Sequence, residues 1–132
     1  MPRLSLWLEF ADGSTIGPLD VRLLEEIGEH RSIVAASRAV KMSYSSAWRR
    51  VRTLNGCSGG PLVKAGVGGR IGGFAELTQR GQTFVQLYRL MERRAVTATR
   101  AELRRGRSKR QMNGRKTWPR DLIKKGELEE SI

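Results

Sequence analysis

The sequence predicts a mainly α-helical fold with a small β component: a winged helix-turn-helix with an N-terminal β-hairpin and a long C-terminal dimerisation helix. Three observations predict it. Two short capped helical segments are separated by a three-residue turn, a glycine-rich segment follows between two short apolar strands, and an apolar stripe then recurs at helical spacing. The chain of 132 residues is long enough for one compact domain, which we assign to residues 1–105.

The first thirty residues predict a hairpin and a helix. In the first strand every second residue is apolar, at Leu4, Leu6, Leu8 and Phe10. Asp12-Gly13 gives the turn signal, and Thr15-Ile16 gives a short return strand. The next apolar residues share one helical face, at Val21, Leu23, Leu24 and Ile27. We therefore expect a first helix over approximately 19–29.

Residues 32–54 predict the helix-turn-helix. Ser32 caps a short helix of small residues that ends by Lys41. After the turn Lys41-Met42-Ser43, a second helix begins, whose inward stripe is Ala47, Trp48, Val51 and Leu54. Asn55-Gly56 is expected to end this helix. Two short helices with a tight turn, the second carrying arginines on its outer face, are typical of a helix-turn-helix.

A wing and a long helix follow. Pro61 to Lys64 and Ala75 to Leu77 predict two short strands around a glycine-rich tip, and neither common nucleotide-binding glycine motif matches this tip. Thr78 caps a helix that is expected to reach approximately Arg105. A helix of about 25 residues is nearly 40 Å long, more than so small a domain can bury. The sequence therefore predicts a homodimer through this helix.

Positive charge is concentrated in the later part of the chain. The formal net charge is +12, and it divides into −1 for residues 1–42, +4 for 43–77, +3 for 78–103 and +6 for 104–132. Such asymmetry predicts a phosphate-bearing partner, because each neutralised phosphate releases counterions. Since part of this charge falls on the predicted helix-turn-helix and wing, the expected partner is double-stranded DNA. We interpret residues 106–132 as a basic, flexible tail that adds sequence-independent affinity; the alternative is a solvated extension.

Composition disfavours other classes of protein. No apolar run approaches the length of a membrane span, so no membrane partner is expected. The N-terminus shows no signal-peptide pattern and Cys57 has no second cysteine, which favours a reduced, cytoplasmic location. One cysteine and one histidine, His30, predict no metal site, no cofactor and no catalytic residues.

The segment from Ser32 to Trp48 is similar to the helix-turn-helix of the ModE-type molybdate-responsive transcriptional regulators. The most distinctive run is Met42-Ser43-Tyr44-x-x-Ala47-Trp48. The resemblance extends over approximately residues 4–94 through Gly-Gly-Arg-x-Gly-Gly in the wing, Leu77-Thr78-x-x-Gly81, and Leu87-Tyr88. The LysR-type winged helix shares the small-residue helix and the Leu-Thr-x-x-Gly step. The resemblance implies a bacterial DNA-binding protein that dimerises through its helices and binds a palindromic operator.

Three departures from the family pattern stand out. Lys41 occupies the turn position where the family usually has glycine, and Ile71 and Phe74 replace glycines of the wing. Full-length members carry C-terminal oxyanion-binding domains, whereas only a basic tail follows here. We therefore expect molybdate sensing not to carry over to this chain.

The candidate DNA contacts lie on the recognition helix, the second helix of the motif, and on the wing. Because the stripe from Ala47 to Leu54 points inward, the remaining helix faces offer Ser43, Tyr44, Ser45, Ser46, Arg49, Arg50 and Thr53. Arginine pairs with guanine in the major groove, and serine near a helix N-terminus reaches a base or phosphate. For Tyr44 the sequence leaves two alternatives, packing within the protein and contact with DNA, whereas Trp48 is assigned to the core. In the wing, Lys64 and Arg70 are candidates for phosphate or minor-groove contacts.

These observations leave three hypotheses for function, none of them enzymatic. The first is a dimeric, sequence-specific transcriptional regulator. The second is a general nucleic-acid-binding or architectural protein whose basic tail dominates binding. The third is an interaction module that pairs with another regulator through the long helix.

Overall fold

The computed structural model describes residues 2–66 and 73–110, with the backbone alone for 107–110. Along these residues the elements are β1 (Leu8–Glu9), β2 (Thr15–Ile16), α1 (Pro18–His30), α2 (Ile33–Ala39), α3 (Tyr44–Cys57), β3 (Val63–Gly66), β4 (Phe74–Leu77), α4 (Gln79–Ala98) and α5 (Arg100–Arg110). β1 pairs with β2 and β3 with β4, both antiparallel. The predicted fold class, mainly helical with two small hairpins, is confirmed.

The chain divides into two compact units. Residues 5–92 form the larger unit, which contains the helix-turn-helix and the wing strands. The other unit comprises residues 1–4 and 93–132, of which 2–4 and 93–110 are described. Within the described part of the chain, none of the helices combines the length and apolar character that a membrane span needs.

The N-terminal hairpin is shorter than predicted, with two residues in each strand. Leu8 faces Ile16 across the pair, and Leu6, Leu8 and Phe10 pack against the core while Trp7 and Glu9 are exposed. The predicted alternation is therefore correct. In the turn, hydrogen bonds from the hydroxyl and backbone of Ser14 lower the pKa of the Asp12 carboxyl.

Helix α1 begins one residue earlier and ends one residue later than predicted. Pro18 occupies the first turn, where its missing N–H breaks no hydrogen bond. The Asp20 carboxylate accepts a hydrogen bond from the Gly17 N–H at 2.9 Å, which satisfies one free donor of this helix end. Arg31 ends the helix in the left-handed conformation and donates its N–H to Ile27 O.

The helix-turn-helix forms as predicted from its caps. Ser32 Oγ accepts from Ala35 N at 3.1 Å to start α2, and Ser43 Oγ accepts from Ser46 N at 3.2 Å to start α3. Between them Lys41 adopts a φ of 59°, the left-handed region that glycine enters most easily. The lysine itself therefore makes the turn, which Met42 N closes onto Ser37 O at 2.8 Å.

The predicted end of α3 at Asn55-Gly56 is wrong, because the helix continues to Cys57. Asn55 instead anchors the wing. Its Oδ1 accepts from Leu62 N and Val63 N, both at 2.9 Å, and its Nδ2 donates to Val63 O at 3.1 Å. One side chain thus fixes the start of β3 against the recognition helix α3.

The core of the larger unit lies between the three short helices, the hairpins and the first half of α4. Its fully buried large side chains are Ile16, Val21, Leu23, Leu24, Ile27, Val51, Leu54, Leu62 and Tyr88. The Tyr88 hydroxyl donates to Leu6 O at 2.7 Å, and burial raises the pKa of this phenol. Arg89 bonds Glu25 on α1 at 2.5 Å and Glu92 at 2.9 Å; the bond to Glu25 is the main reason that its pKa lies above the usual range.

Helix α4 begins against the wing. As predicted, Thr78 caps it: Thr78 Oγ1 accepts from Gly81 N at 3.0 Å and donates to Pro61 O at 2.7 Å. A β-carbon at Gly81 would lie 2.1 Å from Leu62 O, so the helix approaches the strand through backbone contact.

The single long helix predicted up to Arg105 is interrupted. Helix α4 ends at Ala98 and α5 runs from Arg100 to Arg110, with Thr99 between them. The Thr99 hydroxyl donates to Ala95 O at 2.6 Å, the same oxygen that accepts from Thr99 N at 3.1 Å, and Leu103 N donates to Thr99 O at 2.9 Å. Helical backbone hydrogen bonding therefore continues through Thr99. The first residues assigned to the tail are therefore helical, and residues 111–132 lie outside the described part.

Candidate nucleic-acid interface

The N-terminus of α3 presents a cluster of serine hydroxyls. Ser43 Oγ donates to Ser46 Oγ at 2.8 Å and lies 3.4 Å from Ser45 Oγ. Ser46 Oγ also accepts from Arg49 Nη2 at 3.3 Å. Since a helix N-terminus carries partial positive charge and free N–H groups, this cluster and the adjacent guanidinium form a surface suited to anions.

The outer face of α3 is basic and contains no acidic residue. Arg49 and Arg52 are exposed. The Thr53 hydroxyl donates to Arg49 O at 3.1 Å, so its oxygen remains available as an acceptor. The structure therefore brings Ser45, Ser46 and Arg49 together near the start of the helix, as predicted.

Tyr44 and Trp48 form an aromatic pair beside this face. Their rings meet edge to face, with centroids 6.3 Å apart and an interplanar angle of 85°. Trp48 is partly buried and packs against the core, as predicted, whereas Tyr44 is 45% exposed. Tyr44 thus packs on one side and is accessible on the other.

Arg50 is the candidate that the structure places differently from its neighbours. Its Nε donates to Asp20 Oδ1 at 2.6 Å and its Nη2 donates to Thr15 O at 3.1 Å. The Asp20 side chain is almost completely buried, and the Arg50 side chain is one-third exposed. The Arg50 guanidinium is therefore bonded to other elements of the domain, although its side chain is partly exposed.

The wing is described at its base and not at its tip. Lys64 lies on β3 and is exposed, in register with Glu76 on β4. Phe74 belongs to β4 rather than to the tip, and the Arg31 guanidinium lies 5.9 Å from its ring centroid. Arg70 and Ile71 lie outside the described residues.

A shallow cleft of about 270 Å³ separates the start of α3 from the wing. Its lining is mostly apolar and includes Ile33, Tyr44, Trp48, Ala65, Phe74 and Ala75. The cleft places α3 and the β3–β4 hairpin side by side as two neighbouring surfaces. Among residues 2–66 and 73–110, no group of His, Cys, Asp and Glu side chains could hold a metal ion.

Two residues of structural importance were missed by sequence reasoning, Asp20 and Asn55. Asp20 lies three residues after Gly17, a position where an acidic side chain commonly caps a helix. This cap could therefore have been predicted from the sequence. Its contact with Arg50, thirty residues away, had no local signal.

Comparison with known proteins gives the class of this domain. Residues 19–82 match the bacterial regulatory helix-turn-helix protein family of the lysR type. The match starts in α1, covers α2, α3 and both wing strands, and ends in the first turn of α4. The N-terminal region of the chain is therefore a LysR-type helix-turn-helix domain.

Individual relatives of the chain include proteins named MopA and ModE. The chain is 42% identical over 88 residues to the molybdenum-pterin-binding protein MopA of Rhodobacter capsulatus. These 88 residues are 67% of this chain and 33% of the relative. It is 42% identical over 78 residues to the transcriptional regulator ModE of Haemophilus influenzae, 59% of this chain and 31% of the relative. It is 38% identical over 74 residues to the DNA-binding transcriptional dual regulator ModE of Escherichia coli, 56% of this chain and 28% of the relative.

These comparisons confirm the resemblance to ModE-type regulators over the N-terminal part of the chain. The chain spans about a third of the length of the curated relatives that it matches. Several of these relatives are named as transcriptional regulators.

Proposed function

We propose that this protein is a dimeric, sequence-specific DNA-binding transcriptional regulator. The observation that carries the proposal is the recognition helix α3, whose start exposes serine hydroxyls and Arg49 beside a β-hairpin wing within a LysR-type domain. A helix of this kind enters the major groove while the wing contacts the adjacent backbone. The names of the relatives make molybdenum-related genes the first targets to test.

In the proposed complex, Ser45, Ser46, Arg49 and Thr53 face base edges or nearby phosphates in the major groove. Ser43 and Tyr44, at the helix start, contact the DNA backbone. Lys64 at the wing base and Arg70 at the tip contact phosphates or the minor groove. Arg50 is not among these contacts, because its guanidinium is already bonded within the protein.

The proposed dimer forms through the apolar face of α4. Leu87 and Met91, one helical turn apart, are 53% and 40% exposed. A second copy of the chain would cover these side chains and place two recognition helices on a palindromic operator. The matching two-fold symmetry of protein and DNA is the usual arrangement for helix-turn-helix dimers.

The test is selection of bound sequences from a random duplex pool, followed by affinity measurement on the selected operator. Arg49→Ala should lower operator affinity by about 1–3 kcal/mol and relax preference at one base pair. Arg3→Ala removes the same charge from an exposed residue outside the LysR-type region and serves as the control. Equal affinity of the wild-type protein for every duplex would contradict the proposal and favour a general nucleic-acid-binding role.

A further inference from the structure

Among residues 2–66 and 73–106, whose side chains the structure describes, one ion pair links the recognition helix to another element of the domain. Arg50 on α3 extends to Asp20, on the first turn of α1, with Nε 2.6 Å from Oδ1. The Asp20 side chain is 8% exposed. A carboxylate withdrawn from water to this degree requires compensating donors, because an unpaired buried charge is strongly unfavourable.

Both oxygens of this carboxylate are bonded, and each to a different element. Oδ2 accepts from the Gly17 N–H at 2.9 Å, at the start of α1. Oδ1 accepts from Arg50, whose Nη2 also donates to Thr15 O of strand β2 at 3.1 Å. The N-terminal hairpin, α1 and the recognition helix therefore meet at a single guanidinium–carboxylate pair.

Arg49, the residue adjacent to Arg50, has no comparable contact with another element among the described residues. Arg49 is exposed and its recorded side-chain bond is to Ser46, on the same helix. Arg49 can therefore turn toward DNA without disturbing the packing of the domain. If Arg50 did so, it would leave Asp20 without its cation and Thr15 O without its donor.

We infer that Arg50 is a positioning residue, which sets the angle of α3 through Asp20 and Thr15 and so determines operator selectivity without contacting DNA. The inference rests on the proposed function. Base contacts need placement of the helix to within about half an ångström, and a short charged bridge with two directional hydrogen bonds supplies such a constraint. Loss of the bridge permits α3 to rotate or shift, which weakens base contacts more than phosphate contacts.

Asp20→Asn gives the sharpest test, because simple electrostatics leaves the ratio of operator affinity to random-duplex affinity unchanged, whereas the positioning role lowers it. Removing a negative charge from a DNA-binding protein should strengthen binding to every duplex. Under the positioning role, Asp20→Asn should instead lower the ratio of operator affinity to random-duplex affinity, by at least about fivefold, the value of one base contact. Arg50→Gln should lower the same ratio to a similar extent.

Arg49→Gln is the matched control, since it removes the same charge from the next residue of the same helix. It should alter preference at one base pair or reduce the log–log salt slope by about one. Arg50→Gln should reduce preference at several base pairs and leave the salt slope unchanged. Arg50→Lys, which keeps the charge opposite Asp20 but loses the planar fork, should give an intermediate ratio.

The ratio separates a positioning role from a loss of folded protein. A smaller folded fraction lowers both affinities equally and cancels in the ratio, and circular dichroism at the assay temperature checks the fold. If the more disruptive variants fail to fold, Arg50→Lys alone decides the inference, which predicts a ratio below that of the wild-type protein.

The inference is overturned if Asp20→Asn and Arg50→Lys keep the wild-type ratio while Arg49→Gln loses affinity. It is also overturned if Arg50→Gln, like Arg49→Gln, alters preference at one base pair alone or reduces the salt slope by about one. A wild-type protein with no sequence preference would instead reject the proposed function, a result that is distinguishable from both.

Discussion

Lys41 closes the turn of the helix-turn-helix with a positive φ of 59°. A residue with a β-carbon pays a steric penalty of about 1–2 kcal/mol in this region, whereas glycine increases the entropy of the unfolded chain by about 0.5–1 kcal/mol. The first effect is the larger. We therefore expect Lys41→Gly to raise the free energy of unfolding by up to about 1 kcal/mol, measured by urea denaturation.

Lys41→Ala separates backbone strain from charge in that experiment. It removes the same positive charge and keeps the β-carbon, so it should give no comparable gain. A Lys41→Gly variant no more stable than Lys41→Ala would show that the turn is not strained in the folded protein.

The residues that sequence reasoning interpreted correctly have local signals, and the others do not. Ser32, Ser43 and Thr78 were predictable as caps because a capping hydroxyl acts on a backbone N–H two or three residues away. Asn55 was predicted to end α3. Its role in anchoring the wing had no local signal, because its hydrogen bonds go to β3, which follows several residues later. Arg50 has its partners thirty and thirty-five residues away, beyond the reach of periodicity.

At the level of the helices, α4 leaves an apolar face uncovered at Leu87 and Met91. If this face forms the proposed dimer contact, Leu87→Glu combined with Met91→Glu should convert the dimer to a monomer, because two carboxylates would be desolvated at the contact. Analytical ultracentrifugation measures the change. Gln86→Glu, on the same helix and also exposed, should leave the dimer intact.

A wild-type protein that sediments as a monomer at micromolar concentration would contradict the dimer. That result would favour the alternative in which the same face binds another regulator.

The extents of the elements were predicted well where caps and periodicity agree, as in α1 and α2. They were predicted less well for α4 and α5. The apolar spacing continues through Ala95 and Ala98, so the pattern gave no sign of the break at Thr99. The hydroxyl of Thr99 donates to Ala95 O beside the backbone bond to the same oxygen, a local contact that hydrophobic periodicity does not report.

Over the whole molecule, the basic surplus assigned to the tail lies mostly in α5. Residues 104–110 carry five basic and no acidic residues, whereas 111–132 carry five basic and four acidic residues. At about 1.5 Å per residue, the first group places its five charges within about 10 Å of helix. Residues 104–110 thus have a net charge of +5 and residues 111–132 a net charge of +1, so the first group should attract phosphates more strongly.

We therefore expect the joint change of Arg104→Gln and Lys109→Gln, both within residues 104–110, to weaken binding to all duplexes. The log–log salt slope should fall by up to about two. Arg115→Gln with Lys116→Gln removes the same total charge and should have a smaller effect. Fluorescence anisotropy on a random duplex at several salt concentrations measures both, and equal effects would show that only the total charge matters.

The backbone contact between Gly81 and Leu62 O also determines how related sequences should be compared. A side chain at position 81 would overlap the carbonyl oxygen, and Thr78 uses its hydroxyl on Pro61 O in the same turn. In a saturation mutagenesis library selected only for folding, position 81 should retain glycine even when DNA recognition is not required. The Leu-Thr-x-x-Gly step is thus a signature of how a helix is seated on a wing, and proteins that read unrelated operators can share it.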